Sequence, residues 1–340
     1  SDQKVKIISN AGGVNPEACA DAIRDLINEQ GLNLKVAVVV GDDLLENKSN
    51  IFNSDISEMF TGDKLPDQNN IVSINAYLGA FPIAEALRLG ADIVITGRCV
   101  DSAVTLGACI YSFDWKEEDW NHLSGGSLAG HIIECGTQST GGNFTDWELI
   151  SDQIDTMGYP IVEIFKDSSF NCMKSNNTGG LVSVGTISEQ LVYEIGDPQA
   201  YILPDVVCDF SQVKISQINK DTVKVSGAIG YPSTNQYKVS MTYSDGFRGG
   251  HLMSFVGIDA GKKAKAYGEA IFKRSRDILK KINMPDFTET SIEVLGDQSQ
   301  YSKKDKNFSS REVILKYAGK HSDIKAIGIM LKESVGLALS

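Results

Sequence analysis

The stretch from Asn75 to Ser102 restricts the possible folds more than any other part of the chain. It reads NAYLGAFPIAEALRLGADIVITGRCVDS. Pro82 suits the first turn of a helix, and Gly90 can take the left-handed conformation that ends one. The run from Asp92 to Thr96 is short, β-branched and apolar, as expected of a strand buried on both faces. A helix followed by such a strand indicates a parallel sheet covered by helices.

Strand and helix patterns alternate throughout the first half of the chain. Strands are predicted at 5–9 and 34–40, and helices at 17–30, 102–111 and 127–135. We therefore expect an α/β domain over residues 1–200, with a mostly parallel sheet and helices on both faces. Alternating β-branched runs with a few helices follow, and they predict a smaller α+β domain over residues 201–340.

The charge balance excludes several classes of function. The chain has 340 residues, 32 Lys and Arg against 44 Asp and Glu, and a net charge of −12. The net negative charge of such a protein does not attract nucleic acid or an anionic membrane. The basic residues at 262–281 are interpreted as a solvated helix face. We find no run of about 20 apolar residues that would span a bilayer.

The six cysteines favour an intracellular protein. They are scattered and form no CxxC pair, so neither a disulfide framework nor a zinc ribbon is predicted. We expect a reducing compartment, either the cytoplasm or the mitochondrial matrix.

Several strings, in order along nearly the whole chain, resemble the acyclic terpene utilisation (AtuA) family. They are ISNAGGVNP, VVGDDLL, NAYLGAFPIAEALRLGADIVITGRCVDSA, AGHIIECGTQSTGG, NTGGLVSVGTISEQLVYEIGDPQAYILPDV and YSDGF. The resemblance implies an enzyme of acyl-CoA or branched-chain, terpenoid-type acid catabolism, with hydratase or lyase chemistry. Its small-molecule partner would be anionic or a coenzyme A thioester, which would be a substrate, and no cofactor is expected.

The resemblance also leaves a second function open. Family members usually begin with a further glycine-containing strand–helix segment and continue beyond the last helix predicted here. This difference keeps a non-catalytic subunit of a larger assembly as the alternative. For either function, the protein partners expected are further copies in a homo-oligomer or the members of a larger complex.

The loop of Asn10, Gly12 and Gly13 is a candidate substrate-binding site. It joins a strand to a helix, whose N-terminal amides attract phosphate or carboxylate, and glycine allows close approach of a ligand. The loop lacks the GxGxxG and Walker patterns. The alternative is a tight turn that needs positive φ.

Arg98 and Asp101 follow the strand that ends at Thr96. Arg98 could bind a carboxylate or phosphate in bidentate fashion, and Asp101 could act as a general base. Alternatively, Asp101 caps the helix that begins at Ser102, and Arg98 pairs with it.

His131, Glu134 and Cys135 share one helical surface because of their three- and four-residue spacings. Glu134 is a candidate acid or base, and Cys135 a candidate nucleophile if His131 activates it. The alternative is a helix end with a buried thiol and a satisfied imidazole.

Further candidate substrate contacts come from loops. They are Asn75 and Tyr77, which could bond a thioester carbonyl, and the glycine-rich positions Gly141, Gly142, Thr178 and Gly179. For all of these, turn formation is the alternative. Asp42, Asp43 and Asp205 are carboxylates at strand ends, where turns and caps are commoner than metal ligands, so no metal site is predicted.

Overall fold

The computed structural model describes residues 5–13, 15–297, 299–300 and 310–339. It divides the chain into two compact units, Ser1–Thr242 and Tyr243–Ser340. The domain boundary predicted at residue 200 lies within the first unit and stays a prediction.

Some of the helices begin at a residue whose side chain caps them. Asn15, for example, accepts a hydrogen bond from the Ala18 amide at 3.0 Å, and Pro16 occupies the first helical position. The helices are α1 Pro16–Glu29, α2 Lys48–Phe52, α3 Phe81–Arg88, α4 Ala103–Phe113, α5 Trp120–Glu134, α6 Val184–Val192, α7 Ala260–Lys281 and α8 Ile324–Gly336.

The strands are short in the first unit and longer in the second. They are β1 Ile7–Ser9, β2 Val36–Val39, β3 Ile71–Ala76, β4 Ile93–Thr96, β5 Pro160–Ile164, β6 Phe170–Lys174, β7 Tyr201–Ile202, β8 Val207–Asp209, β9 Lys214–Asn219, β10 Thr222–Ser226, β11 Ile229–Tyr231, β12 Val239–Tyr243, β13 Phe247–Val256, β14 Glu289–Leu295 and β15 Glu312–His321.

A three-stranded parallel sheet in the order β1-β4-β2 positions the candidate site. On one face, α1 packs Ile27 against Ile93 and Ile95. On the other face, Val94 joins the large core that includes Leu87 of α3 and Ile110 of α4. Alternate side chains of β4 therefore enter two different cores, which explains its uninterrupted apolar sequence.

The prediction of a mostly parallel sheet is wrong. The first unit also contains an antiparallel sheet in the order β5-β6-β10-β9, another in the order β11-β8-β7, and a pair of β12 with β3. The sequence prediction missed the β5–β6 hairpin. The third strand of this sheet, β10, pairs with β6 from about 50 residues further along the chain, and no local pattern indicates that pairing.

The second unit is a three-stranded antiparallel sheet, β13-β15-β14, packed with α7 and α8. Leu315 and Tyr317 of β15 lie in one core with Ile271 and Phe272 of α7 and Met330 of α8. Buried and exposed residues alternate along β15, as expected for a sheet covered on one face.

Among the described residues, none of the helices combines the length and the apolar character needed to cross a membrane.

Candidate functional site

Glycines bring the carboxyl ends of the parallel strands into close contact. A Cβ atom at Gly12 would collide with the Thr96 carbonyl oxygen, and a Cβ atom at Gly97 would collide with the Asp42 carboxylate. The loops after β1, β2 and β4 can pack this tightly only because these positions lack side chains. The structure thus brings the 10–13 loop beside the end of β4, where Arg98 follows.

Asp42 organises this edge of the sheet. Its side chain is 3% exposed, and Oδ2 accepts hydrogen bonds from the Arg98 backbone amide at 2.8 Å and from Asn75 Nδ2 at 3.0 Å. A buried carboxylate needs such donors to offset its lost hydration. Asp42 therefore fixes the start of the Arg98 loop and the side chain of Asn75, two predicted ligand contacts.

The Arg98 guanidinium keeps part of its hydrogen-bonding capacity unused. It stacks on Tyr77, 4.1 Å from the ring centroid, and its side chain is 36% exposed. Its Nε is buried and has no hydrogen-bond partner among the described residues. Lys238 Nζ lies 5.1 Å from the same ring centroid. Two cations beside one aromatic ring, one with a free donor, form a suitable anchor for an anion.

Asp101 does not cap the helix that follows it. Helix α4 begins at Ala103, its N-cap is Ser102, and no side-chain hydrogen bond caps it. The Asp101 carboxylate lies 3.8 Å from Arg98 Nη2, a loose ion pair, and is 46% exposed. Its side chain is thus not used for capping, contrary to the alternative raised from the sequence.

The surroundings of Asp101 favour its protonated form. Burial raises its pKa, Arg98 opposes the rise, and Glu134 adds to it. A carboxyl group with a raised pKa exchanges protons closer to neutral pH, as a general acid or base requires.

Close helix packing places Glu134 near Asp101. A Cβ atom at Gly130 would lie 2.7 Å from the Ser102 carbonyl oxygen, so the end of α5 packs directly on the start of α4. The next residue, His131, is 4% exposed, and its Nδ1 is 3.6 Å from Oε1 of Glu134, which lies about one turn further along. The Nε2 atom of His131 is buried without a partner among the described residues.

Cys135 has the environment of an unreactive thiol. Burial, together with Glu134, raises its pKa to about 11. The sulfur therefore keeps its proton at neutral pH, whereas nucleophilic cysteines have lowered pKa values. Its predicted role as a nucleophile gains no support from these surroundings and remains untested.

A family model described as acyclic terpene utilisation family protein AtuA matches residues 1–340, the whole chain. The chain belongs to this family. No match was found among curated proteins or among solved structures.

Gly141 and Gly142, which lie in one of the strings that resemble AtuA proteins, contact other residues than Arg98 does. Gly141 has a φ of 109° and lies beside Ile150 and Leu181, and the Gly142 amide donates to the Thr137 carbonyl at 2.8 Å. These groups serve tight turns of the backbone. Their predicted contact with substrate remains a prediction.

Thr178 and Gly179 are placed similarly. Thr178 Oγ1 donates to the Ser175 carbonyl at 2.7 Å, and the Gly179 amide donates to the Thr156 carbonyl at 2.8 Å. The hydroxyl and amide predicted to bind substrate are thus already paired within the chain.

The 10–13 loop combines both interpretations made from the sequence. Gly13 has a φ of 45° and its amide donates to the Asn10 carbonyl at 3.2 Å, so the loop is a turn. It also lies at the sheet edge of Arg98. Asn15 already accepts from one amide of the first turn of α1, which reduces the number of free donors there.

Asp205 supports the site from a distance. Its two carboxylate oxygens accept from the Ala80 amide at 3.0 and 2.8 Å, so it caps α3 from 125 residues further along the chain. Burial raises its pKa to about 6, although the hydrogen bonds from the amides of Ala80 and Phe81 oppose the rise. This cap holds the loop that carries Tyr77.

Several residues of the site were not predicted from the sequence. Tyr201 is one, since its ring centroid lies 6.1 Å from that of His131 and burial raises its pKa to about 12. Glu194 is another, because its charge raises the pKa of Asp101. Lys238 completes the set. Glu194 and Tyr201 lie within the strings that resemble AtuA proteins, and this was the one available signal. Among the described residues, no cluster of three or more His, Cys, Asp or Glu is arranged to hold a metal ion.

Proposed function

We propose that this member of the AtuA family is an enzyme that adds or removes water, or cleaves a carbon–carbon bond, in a carboxylated or coenzyme A-linked branched acid. The observation that carries the proposal is Asp101. This carboxyl group has a raised pKa, is not used as a helix cap, and lies beside a cation with an unused donor.

The first step is anion binding. Arg98 would hold a carboxylate or phosphate of the substrate, with Tyr77 fixing the plane of the guanidinium. Asn75, held by Asp42, and the loop of Asn10, Gly12 and Gly13 would line the same edge.

The second step is proton transfer. In a dehydration, Glu134 would take the proton from the carbon beside the thioester or carboxylate. Asp101, whose pKa is raised by burial, would give its proton to the leaving hydroxyl group, which departs as water. The reverse sequence hydrates a double bond. His131 beside Glu134 would orient that carboxyl group.

A non-catalytic subunit is the second candidate. The paired hydroxyl and amides of the 137–142 and 178–180 turns favour it, because a site that binds substrate there would need free donors.

The six cysteines, all free thiols, suit a reducing compartment such as cytoplasm or mitochondrial matrix in either case.

A ligand screen with acyl-CoAs and branched dicarboxylates, read by thermal shift, tests the anion site. We expect a rise in the melting temperature of wild type that Arg98→Ala abolishes. Arg88→Ala is the matched control, since Arg88 has the same charge and almost the same exposure, 37%, and pairs with Glu85 and Asp114. It should keep the full shift.

Two results would contradict the proposal. One is an equal loss of the shift in Arg88→Ala, which would indicate a non-specific charge effect. The other is the absence of a shift with every anionic ligand while the protein purifies with a stable partner, which would favour the subunit.

A further inference from the structure

The outward surface of α7 is strongly basic. The helix has 22 residues and buries Ala264, Ile271, Phe272 and Leu279 on its inner side. Eight of its residues are basic and two, Glu269 and Asp277, are acidic. The basic residues are Lys262, Lys263, Lys265, Lys273, Arg274, Arg276, Lys280 and Lys281.

Part of this basic surface has no internal counter-charge. Arg276 pairs with Asp286 at 3.0 Å, and Lys262 with Asp259 at 3.1 Å. Lys273 and Lys280 have no ion-pair partner in the part of the chain that the structure describes. They are two turns apart and lie nearly in line along a helix about 33 Å long.

Charge is distributed very unequally along the chain. Residues 243–340 contain 17 Lys and Arg and 12 Asp and Glu, a net charge of +5, whereas residues 1–242 contain 15 and 32, a net charge of −17. The overall charge of −12 disfavours nucleic acid or anionic membrane as the partner of α7. A protein surface with a local cluster of carboxylate side chains is favoured instead.

The chain itself carries such a surface, which we call the acidic segment, residues 146–155. It lies in a stretch without any Lys or Arg, from 117 to 165. Its four carboxylates are exposed and have no ion-pair partner among the described residues. They are Asp146, Glu148, Asp152 and Asp155.

The acidic segment also exposes apolar side chains on a fixed backbone. Trp147, Leu149 and Ile154 are more than half exposed. Ile150 is buried, and its carbonyl accepts from the Gln153 amide at 2.9 Å. Exposed apolar residues with an acidic rim are typical of protein–protein surfaces, and a preformed backbone lowers the entropy lost on binding.

We propose that the basic surface of α7 in one copy of the chain binds the acidic segment of a second copy. The two surfaces differ, so the contact is head-to-tail. One face of a helix about 33 Å long and about 10 Å wide offers about 300 Å². This is small for an interface, so the association is weak and depends on salt. It does not depend on the proposed chemistry.

A charge swap tests this proposal by sedimentation velocity of the full chain. Wild type should self-associate at 50 mM NaCl, and the dissociation constant should be about tenfold higher at 500 mM NaCl. Lys273→Glu/Lys280→Glu and Asp152→Lys/Asp155→Lys should each be monomeric alone at 50 mM. An equimolar mixture of the two variants should associate again, because each carries the charge that the other needs.

The matched control is Lys214→Glu/Lys224→Glu, which makes the same change of charge at exposed positions of β9 and β10. It should associate like wild type. A monomeric wild type at all concentrations and salts would overturn the proposal. So would failure of the mixed variants to associate, or binding of wild type to anionic vesicles or duplex DNA without any self-association.

Discussion

Two glycine-rich regions of the first unit look alike in sequence and differ in structure. At the edge of the parallel sheet, Gly12 and Gly97 let loops pack around Asp42, and Arg98 keeps a buried donor without a partner among the described residues. In the turns at 137–142 and 178–180, amides and the Thr178 hydroxyl are paired within the chain. The difference teaches that glycine runs mark tight backbone, whereas unused polar groups mark a place for a ligand.

The largest effect should come from Asp101→Asn. The amide cannot exchange the proton, so turnover of a hydratable or cleavable acyl-CoA should fall about 10²- to 10⁴-fold, while the thermal shift with that ligand remains. Cys135→Ser is the control and should retain most of the turnover, because the thiol is protonated at neutral pH. Turnover is measured in a steady-state assay. Loss of turnover in Cys135→Ser but not in Asp101→Asn would show that Cys135, and not Asp101, carries out the chemistry.

Asp205 should make stability depend on pH. Its pKa in the folded state, about 6, is above its ordinary value, so the folded protein binds the proton more tightly than the unfolded one. The free energy of unfolding should therefore fall by up to about 3 kcal/mol as the pH rises from below the unfolded pKa, about 4, to above the folded pKa, about 6.

Asp205→Asn should remove that pH dependence while retaining a cap on α3. Denaturant titrations at pH 4, 5, 6 and 7 measure it. An identical pH profile in wild type and variant would mean that Asp205 does not titrate in this range.

Asp42→Ala tests whether Asp42 organises the ligand site at the edge of the parallel sheet. It leaves the Arg98 amide and the Asn75 side chain without their acceptor, which should cost about 2 kcal/mol in unfolding free energy and weaken ligand binding. Among the described residues, the exposed carboxylate of its neighbour Asp43 accepts only from the Leu45 amide in the same turn, so Asp43→Ala should bind ligand normally. Equal loss of ligand-induced thermal shift in both variants would contradict the organising role of Asp42.

The smallest effect is expected in the other region. Thr178→Val removes one hydrogen bond to the Ser175 carbonyl, worth about 1 kcal/mol, and should leave the ligand-induced shift unchanged. A lost shift in a folded Thr178→Val protein would show that the glycine turns belong to the binding site after all.

Local patterns predicted the elements around the sheet edge well. Pro82, Gly90 and the apolar run of β4 are all signals within a few residues, and α3 and β4 lie where these signals place them. Helix α5, in contrast, begins at Trp120, several residues before its predicted start. Gly125 and Gly126 hide it, because glycine disfavours helix unless close packing requires it. Here Gly126 lies against Leu106 and Trp115.

The candidate site was only partly predictable for a similar reason. Arg98 and Asp101 stand at a strand end that the sequence itself reveals. Their partners Asp42 and Glu134 are 56 and 33 residues away along the chain, so the contacts that hold the loop and raise the pKa depend on tertiary packing. The packing of antiparallel strands beside the parallel sheet is likewise set by pairing between distant segments.

The cap that Asp205 places on α3 also orders events during synthesis. Chains are made from the N-terminus, and domains generally fold as units once their parts are available. Helix α3 and the parallel strands emerge early, but the amide of Ala80 has no acceptor until Asp205, 125 residues further along the chain, has been made. The loop that presents Tyr77 to Arg98 therefore takes its final form late, after most of the first unit has left the ribosome, and a chain truncated before Asp205 would carry the sheet without a finished anion site.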